Sequence, residues 1–181
     1  VKRENIILAV GRFQDACKGF DLLVRAFNLM KNEEWHLIFA GGTLEEGQYL
    51  VDLAIESKKN RIQFLGAVKD MDSLYAKAGI FVMPSRSEGF PNALAEALSA
   101  GCCCVSFDFI AGPRDLICHE GNGEIVEAEN TQELAKKLDF LILNETKRNL
   151  YSKEAIKVGE RLSEQNISKQ IIKFINNENA R

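Results

Sequence analysis

The chain has 181 residues, of which 46% are hydrophobic and 27% are charged, and its net charge is −3 at pH 7. This balance is typical of a soluble globular domain with its own core, and it excludes disordered, collagen-like and coiled-coil chains. Lys and Arg number 23 against 26 Asp and Glu, so the basic surplus of a nucleic-acid-binding domain is missing and we expect no nucleic-acid partner.

Strand and helix patterns alternate along the chain. The apolar run at residues 5–11 is closed by a glycine and predicts a strand buried on both faces. Apolar residues at steps of three and four predict an amphipathic helix at 20–30. Further strands are predicted at 35–42, 61–66, 79–84, 102–107 and 123–126. Further helices are predicted at 44–57, 71–77, 91–100, 113–118, 131–143, 147–162 and 167–175.

This alternation predicts a single α/β domain over residues 1–181. Strand–helix–strand units with right-handed crossovers build a doubly wound parallel sheet of the Rossmann-like kind. In such a sheet, ligands bind beyond the carboxyl ends of the strands. We therefore expect the chemistry in the loops that follow the strands, at residues 11–18, 41–46, 66–70, 84–92 and 108–113.

The cysteines indicate a reducing compartment. They are five in number and no two are spaced as CxxC, so we expect reduced thiols in the cytoplasm, most of them small core residues. Neither His36 nor His119 lies at ligand spacing from them, so no metal site is expected. The longest uncharged stretch, residues 97–107, is too short to cross a bilayer. No signal peptide is recognisable.

The loop at residues 11–19 carries Arg12 directly after a strand and Lys18 at the entrance to a helix. Two cations at this edge suit a diphosphate, because Arg binds phosphate oxygens bidentately and Lys adds a point charge. Solvated surface charges are the other interpretation that these two residues allow. The loop has neither the G-x-G-x-x-G nor the Walker pattern, which removes the main support for a dinucleotide-binding or NTPase domain.

Two glutamates follow the fourth predicted strand. Glu88 lies in the loop and Glu96 in the next helix, and Gly89 allows a ligand to approach the backbone. That helix is expected to begin at Pro91 and to offer free N–H groups and its positive dipole end to a phosphate. Carboxylates accept hydrogen bonds from vicinal hydroxyls, such as those of ribose or a hexose. Together these groups predict a nucleotide-sugar site, with Glu96 partly buried among apolar neighbours.

The string S-R-S-E-G-F-P-N-A-L-A-E-A at residues 85–97 resembles the signature of retaining glycosyltransferases of the two-domain GT-B type, glycosyltransferase family four. Further strings are similar to that family's landmarks and follow in the same order: G-R-F with K-G-F-D-L-L-V-R-A-F, I-Q-F-L-G, L-Y-A-K-A-G-I-F-V-M-P-S, A-G-P-R-D-L-I and G-N-G-E-I-V. The likeness covers most of residues 5–143. One departure is Cys103, which lies where the family often has proline and is expected to affect packing only.

The resemblance implies a role for each matching residue. Arg12 and Lys18 match the pair that holds the donor diphosphate, and Glu88 matches the glutamate that faces the transferred sugar; these three would be the catalytic residues. Glu96 matches the glutamate that binds the ribose hydroxyls, and residues 62–64 correspond to the seat of the base. The other substrate-binding positions match a turn and the loop that contacts sugar and phosphate: Gly11, Gly89, Phe90, Pro91 and Asn92.

The implied reaction moves a hexosyl or N-acetylhexosaminyl group from a nucleotide sugar, with retention at the anomeric carbon. Arg12, Lys18 and the helix N-terminus would stabilise the leaving diphosphate, so we expect neither a cofactor nor a metal. A front-face attack assisted by the departing phosphate is favoured, and a covalent intermediate on Glu88 stays open. The V-S-F-D stretch at 105–108 resembles bacterial polysaccharide-assembly members, which favours a UDP-sugar donor and a glycan or lipid-linked acceptor.

The resemblance reaches only the C-terminal, donor-binding half of a two-domain enzyme. The N-terminal acceptor domain is expected to be absent from this chain, which begins with Val1, and the fragment alone is expected to be inactive. Peripheral association with the inner face of the membrane stays open, since a membrane-docking surface would lie in the other domain. Two other functions also stay open: a non-catalytic nucleotide- or phosphosugar-binding module, and half of a sugar-nucleotide epimerase.

Overall fold

The structure is a computed structural model that describes residues 2–43 and 45–178. Within them, six strands form one parallel sheet: β1 Glu4–Val10, β2 His36–Ala40, β3 Ile62–Phe64, β4 Ala78–Met83, β5 Cys103–Phe107 and β6 Gly123–Val126. Their order across the sheet is β3-β2-β1-β4-β5-β6. This confirms the predicted doubly wound, Rossmann-like α/β fold.

Helices cover both faces of the sheet. In the described ranges they are α1 Phe20–Leu29, α2 Gln48–Asp52, α3 Glu56–Lys59, α4 Met71–Lys77, α5 Asn92–Ser99, α6 Pro113–Leu116, α7 Thr131–Leu143, α8 Glu145–Arg161 and α9 Glu164–Glu178. Helices α1, α2 and α7 contribute to the core on one face, and α4, α5 and α6 contribute to the core on the other. Across residues 2–43 and 45–178, no helix combines the length and hydrophobicity needed to cross a membrane.

The two cores explain the continuous apolar runs in the sequence. All six residues of β4 are buried. Ile80 and Val82 face one core, while Phe81 and Met83 face the other, because successive side chains of a strand point to opposite faces. A central strand of this sheet therefore needs apolar residues at every position.

The cysteines of β5 follow the same rule. Cys103 and Cys104 are fully buried in opposite cores, and burial raises the pKa of Cys103 to about 12. Their thiols therefore stay protonated and act as small core groups. All five cysteines are free, as predicted, although Cys17 and Cys118 are exposed.

The predicted helix at 44–57 is wrong. The structure has the two short helices α2 and α3, with Ile55 in an extended conformation between them, and position 44 lies outside the described residues. Asn28 on α1 causes the break: its Nδ2 donates to the Leu53 carbonyl (2.9 Å), and its Oδ1 accepts from the Ile55 N–H (3.0 Å). These bonds replace those that would continue the helix. The other predicted elements agree with the structure to within three residues at each end.

The order of the strands reverses between β1 and β4. The chain runs from β1 outward to β2 and β3, and then returns to β4 on the other side of β1. The loops after β1 and β4 therefore meet at one crevice, where a doubly wound sheet binds its ligands. They touch at Gly19 (φ +64°), where a Cβ would lie 1.9 Å from the Pro84 carbonyl oxygen, so that only glycine fits.

At the amino ends of the strands, opposite the crevice, Arg3 connects two helices to the start of β1. Its guanidinium donates to backbone carbonyls at the C-terminal ends of α4 and α5, which are those of Tyr75, Ala76, Ala78, Ala100 and Gly101. Helix C-termini present unpaired carbonyls and the negative end of the helix dipole, so both features favour a cation here.

We predict that Arg3→Ala lowers the free energy of unfolding by about 2–4 kcal/mol, since one hydrogen bond to a charged group contributes about 1.5–3 kcal/mol and bonds that share one guanidinium do not add in full. Arg25→Ala, at an exposed position of α1, is the matched control and should change it by less than about 0.5 kcal/mol. Urea denaturation of the parent and both variants measures the two differences. Equal stability of the two variants would contradict the role given to Arg3.

Candidate functional site

Lys18 and Glu88 form an ion pair at the crevice between β1 and β4. Lys18 ends the 3₁₀ turn Ala16–Lys18 that follows β1, and Glu88 lies in the loop after β4. The Lys18 Nζ to Glu88 Oε1 distance is 2.8 Å, and the two side chains are only 20% and 13% exposed. The structure thus brings together a predicted phosphate-binding cation and the predicted sugar-facing carboxylate.

Two neighbours support this pair. The buried hydroxyl of Ser85 donates to the same Oε1 of Glu88 at 2.7 Å. A Cβ at Gly11 would lie 3.1 Å from Lys18 Cδ, so the missing side chain lets the lysine stem lie against the end of β1. The sequence prediction included Gly11 but missed Ser85. The signal that could have found it is the spacing: Ser85 stands three residues before Glu88, and side chains at that spacing can form a hydrogen bond across a turn.

Arg12 lies apart from the Lys18–Glu88 pair. Its side chain is 82% exposed and pairs with Asp15 at 3.1 Å. The two residues line a separate cavity of about 360 Å³ together with Gln14 and Glu46. An exposed ion pair of this kind contributes about 0–1 kcal/mol, so the guanidinium can exchange its carboxylate for another anion at little cost.

Glu96 lies on the second turn of α5 and is exposed, whereas the sequence predicted partial burial. Its Oε2 accepts a hydrogen bond of 2.9 Å from the hydroxyl of Tyr75, a buried residue of α4. Glu96 lines an open cleft of about 720 Å³, which we call the α4–α5 cleft. Its walls include Asp72 and Ala76 of α4 and Asn92 and Ser99 of α5. Apolar neighbours in sequence misled the prediction, because those residues face the core on the other side of the helix.

The loop between the two glutamates is open to solvent. Gly89 and Phe90 are exposed, and a Cβ at Gly89 would meet nothing within 4 Å. Helix α5 begins at Asn92 and not at the buried Pro91, whose φ of −81° and ψ of 68° lie outside the helix. The Asn92 N–H donates to the Phe90 carbonyl at 2.9 Å, so it is not among the free N–H groups predicted at this helix start.

Arg86 fastens the loop after β4 to the loop after β1, a role that the sequence prediction missed. Its guanidinium donates to both carboxylate oxygens of Asp21 at 2.9 Å and to the Ala16 carbonyl at 2.8 Å. Its N–H donates to the Cys17 carbonyl at 2.7 Å. The side-chain bond to Arg86 lowers the pKa of Asp21 below 3.8. This clamp fixes the two loops that supply Lys18 and Glu88.

The expectation of a site without metal assumed that the chain has no Asp-x-Asp motif, which is wrong, because Asp70-Met71-Asp72 is such a string. Carboxylates are ligands that divalent cations prefer. In the structure, Asp70 caps α4: its Oδ1 accepts from the Ser73 N–H (3.0 Å) and its Oδ2 from the Ser73 hydroxyl (2.6 Å). These two bonds lower the pKa of Asp70 and commit its carboxylate to the helix N-terminus.

His119, Glu120 and Glu124 place ligand atoms within 4.8 Å of one another, a grouping that the sequence prediction missed. The buried carboxylate of Glu124 already accepts from the Tyr151 hydroxyl at 2.6 Å and from Lys137 Nζ at 3.0 Å. These bonds account for Glu124 as a structural group joining β6 to α7 and α8, and we assign the cluster no ligand.

Comparison with known proteins identifies the family. The model of the family described as glycosyl transferases group 1 matches residues 1–158. An uncharacterized glycosyltransferase of Haemophilus influenzae is 33% identical over 147 residues, which are 79% of this chain and 41% of that protein. An α-1,4-N-acetyl-D-galactosaminyltransferase of Campylobacter jejuni is 30% identical over 151 residues, covering 81% of this chain and 41% of that protein.

A solved structure shows the same fold. Anabaena HepE in complex with UDP-glucose superposes with a TM-score of 0.84 at 22% identity, over 96% of this chain and 49% of that one. The chain spans 41% of the length of each of the two curated relatives.

The clamp predicts a pH dependence. Because the folded pKa of Asp21 is lowered, its contribution to stability is fully present above the unfolded value near 3.8 and is lost as the pH falls through the folded pKa. Asp21→Asn should therefore be less stable than the parent at pH 7, and the difference should shrink below about pH 4. Urea denaturation across this range measures it, with the exposed Asp115→Asn as control. A difference independent of pH would contradict the prediction.

Proposed function

This chain belongs to the group 1 family of glycosyl transferases, and we propose that it is the donor-binding domain of a retaining GT-B enzyme of family four. The donor is a nucleotide sugar, with UDP as the nucleotide and a hexosyl or N-acetylhexosaminyl group as the cargo. The single observation that carries the proposal is the Lys18–Glu88 ion pair at the crevice between β1 and β4. A cation for phosphate and a carboxylate for sugar stand side by side where this fold binds ligands.

Charge neutralisation is the chemistry that this pair supports. The Lys18 ammonium has three donors and spends one on Glu88, so two can serve the donor diphosphate. Arg12, whose side chain is 82% exposed, can leave its partner Asp15 for a phosphate oxygen. Both cations then stabilise the charge that develops on the leaving diphosphate, and the N-terminal end of α5 adds its dipole. We propose that the donor site works in this way without a metal.

The bonding of Glu88 favours one retaining mechanism over the other. Both protein hydrogen bonds to its carboxylate in the described structure fall on Oε1, from Lys18 and Ser85, so Oε2 is available to a sugar hydroxyl. A carboxylate with its charge balanced in this way is a weakened nucleophile. We therefore propose a front-face attack, with Glu88 orienting the sugar and the departing phosphate assisting deprotonation of the acceptor.

The relatives suggest the acceptor class. The C. jejuni transferase is named for a diphospho-undecaprenol-linked glycan and for an α linkage, and the Bacillus subtilis poly(glycerol-phosphate) α-glucosyltransferase is 31% identical to this chain over 153 residues. We propose a glycan or lipid-linked acceptor in cell-surface polysaccharide assembly, on the cytoplasmic side of the membrane. A second domain would bind it, and the described domain alone would not turn over.

A nucleotide panel tests the phosphate site. UDP should bind more tightly than GDP or ADP, and Lys18→Ala should weaken UDP binding about ten- to hundredfold, since losing one charge-assisted hydrogen bond costs about 1.5–3 kcal/mol. Uridine, which has no phosphate, should bind both proteins equally. Calorimetry supplies the constants, and the exposed Lys153→Ala is the control. Equal losses for UDP and uridine would refute the phosphate role of Lys18.

The ribose site has its own test, in which we call the ratio of the dissociation constants of 2′-deoxy-UDP and UDP the ribose preference. Glu96 should accept the 2′-hydroxyl, so the ribose preference of the parent should be about tenfold. Glu96→Ala should reduce it to about 1, because the variant cannot sense the missing hydroxyl. An unchanged preference in Glu96→Ala would contradict the role of Glu96.

A further inference from the structure

We propose that Tyr75 is a positioning residue that orients the Glu96 carboxylate toward the ribose and thereby sets the ribose preference. The proposal rests on the proposed function, since it gives Glu96 the ribose hydroxyls as its ligand. The observation behind it is the 2.9 Å hydrogen bond from the Tyr75 hydroxyl to Glu96 Oε2. Tyr75 would contact neither the nucleotide nor the sugar, and would act only through Glu96.

Tyr75 is held rigidly enough to serve as a reference point. Its side chain is 1% exposed and lies edge-on to Phe81 of β4, with ring centroids 5.8 Å apart. Its backbone carbonyl accepts hydrogen bonds of 2.9 Å from both Arg3 Nη1 and Cys102 Sγ. Separate contacts thus fix the ring and the backbone of Tyr75, so its hydroxyl has one position between α4 and α5.

Glu96, in contrast, needs such a reference. It is exposed on α5, and within the described residues Tyr75 is its only side-chain hydrogen-bond partner. An exposed glutamate has several rotamers of similar energy, and fixing it in one of them costs conformational entropy. A bond to one carboxylate oxygen removes much of that freedom before a ligand arrives, and it leaves the other oxygen, Oε1, for a hydroxyl donor.

The donor is also of the right kind. Tyr75 is a neutral donor and brings no positive charge to the Glu96 carboxylate, whereas Lys18 brings one to that of Glu88. Burial, and then the nearby charge of Glu96, raise the pKa of Tyr75. The hydroxyl therefore keeps its proton at physiological pH and remains a donor to the carboxylate.

The contact could instead serve only to join α4 to α5, and the two roles make different predictions. A purely structural bond affects stability and leaves the relative affinities of two ligands unchanged. A positioning bond changes the affinity for UDP more than that for 2′-deoxy-UDP, because only UDP presents both hydroxyls to Glu96.

The experiment compares the ribose preference of the parent, Tyr75→Phe, Glu96→Ala and the double variant by calorimetry. Tyr75→Phe should lower the preference about three- to tenfold, and should have no further effect when Glu96 is alanine. Tyr151→Phe is the matched control: that tyrosine is also buried and donates to a glutamate, Glu124, at 2.6 Å. It should lower stability and leave the preference unchanged.

A second variant changes the other partner of the hydrogen bond, Glu96 on α5, in case Tyr75→Phe does not fold. Glu96→Asp keeps the charge but withdraws the carboxylate by one methylene from the Tyr75 hydroxyl, and it should lower the preference as Tyr75→Phe does.

The outcomes separate the two proposals. If the parent does not bind UDP, the proposed function fails and the role of Tyr75 falls with it. If Glu96→Ala loses the preference but Tyr75→Phe keeps it, or if Glu96→Asp keeps it, only the positioning role is overturned. An effect of Tyr75→Phe that persists in the Glu96→Ala background would also overturn it, since Tyr75 would not then act through Glu96.

Discussion

The pairing of β1 with β4 is the constraint on which the candidate site depends. These strands are distant in sequence but adjacent in the sheet, so the loops that follow them share one crevice. Lys18 comes from one loop and Glu88 from the other. The two residues could not pair if β1 and β4 were not neighbours in the sheet. The close contact of Gly19 with Pro84 and the Arg86–Asp21 clamp both act at this junction. Sheet topology, loop contact and ion pair therefore support the same local arrangement.

Lys18 and Glu88 pair directly with each other. Each partner keeps the other in place and compensates the cost of partial burial. A ligand that brings phosphate to Lys18 and hydroxyls to Glu88 would meet side chains that this ion pair holds in place, so little binding energy would be lost in arranging them. Arg12, which is exposed and forms only a weak ion pair with Asp15, is the more adjustable of the two cations.

Local sequence patterns predicted most of the fold, because strands buried on both faces need unbroken apolar runs and surface helices need apolar residues along one side. They failed at 44–57, where Asn28 breaks the helix from another element. The same limit applies to the site. Lys18 and Glu88 could be found from motifs in single loops, whereas the roles of Arg86 and Tyr75 depend on partners 65 and 21 residues away. The exposure of Glu96 depends on which side of α5 meets the core, which apolar neighbours alone do not reveal.

Arg3 has a consequence for how this domain can vary. In the described structure it is bound by main-chain carbonyls and pairs with no carboxylate. The two residues of a salt bridge can swap their charges during evolution, but Arg3 cannot, because its acceptors are main-chain carbonyls that are present whatever the surrounding sequence. Lysine has three donors against the five of arginine and could not span two helix ends. We infer that few residues can replace arginine at position 3, although this position lies at the amino ends of the strands, opposite the crevice.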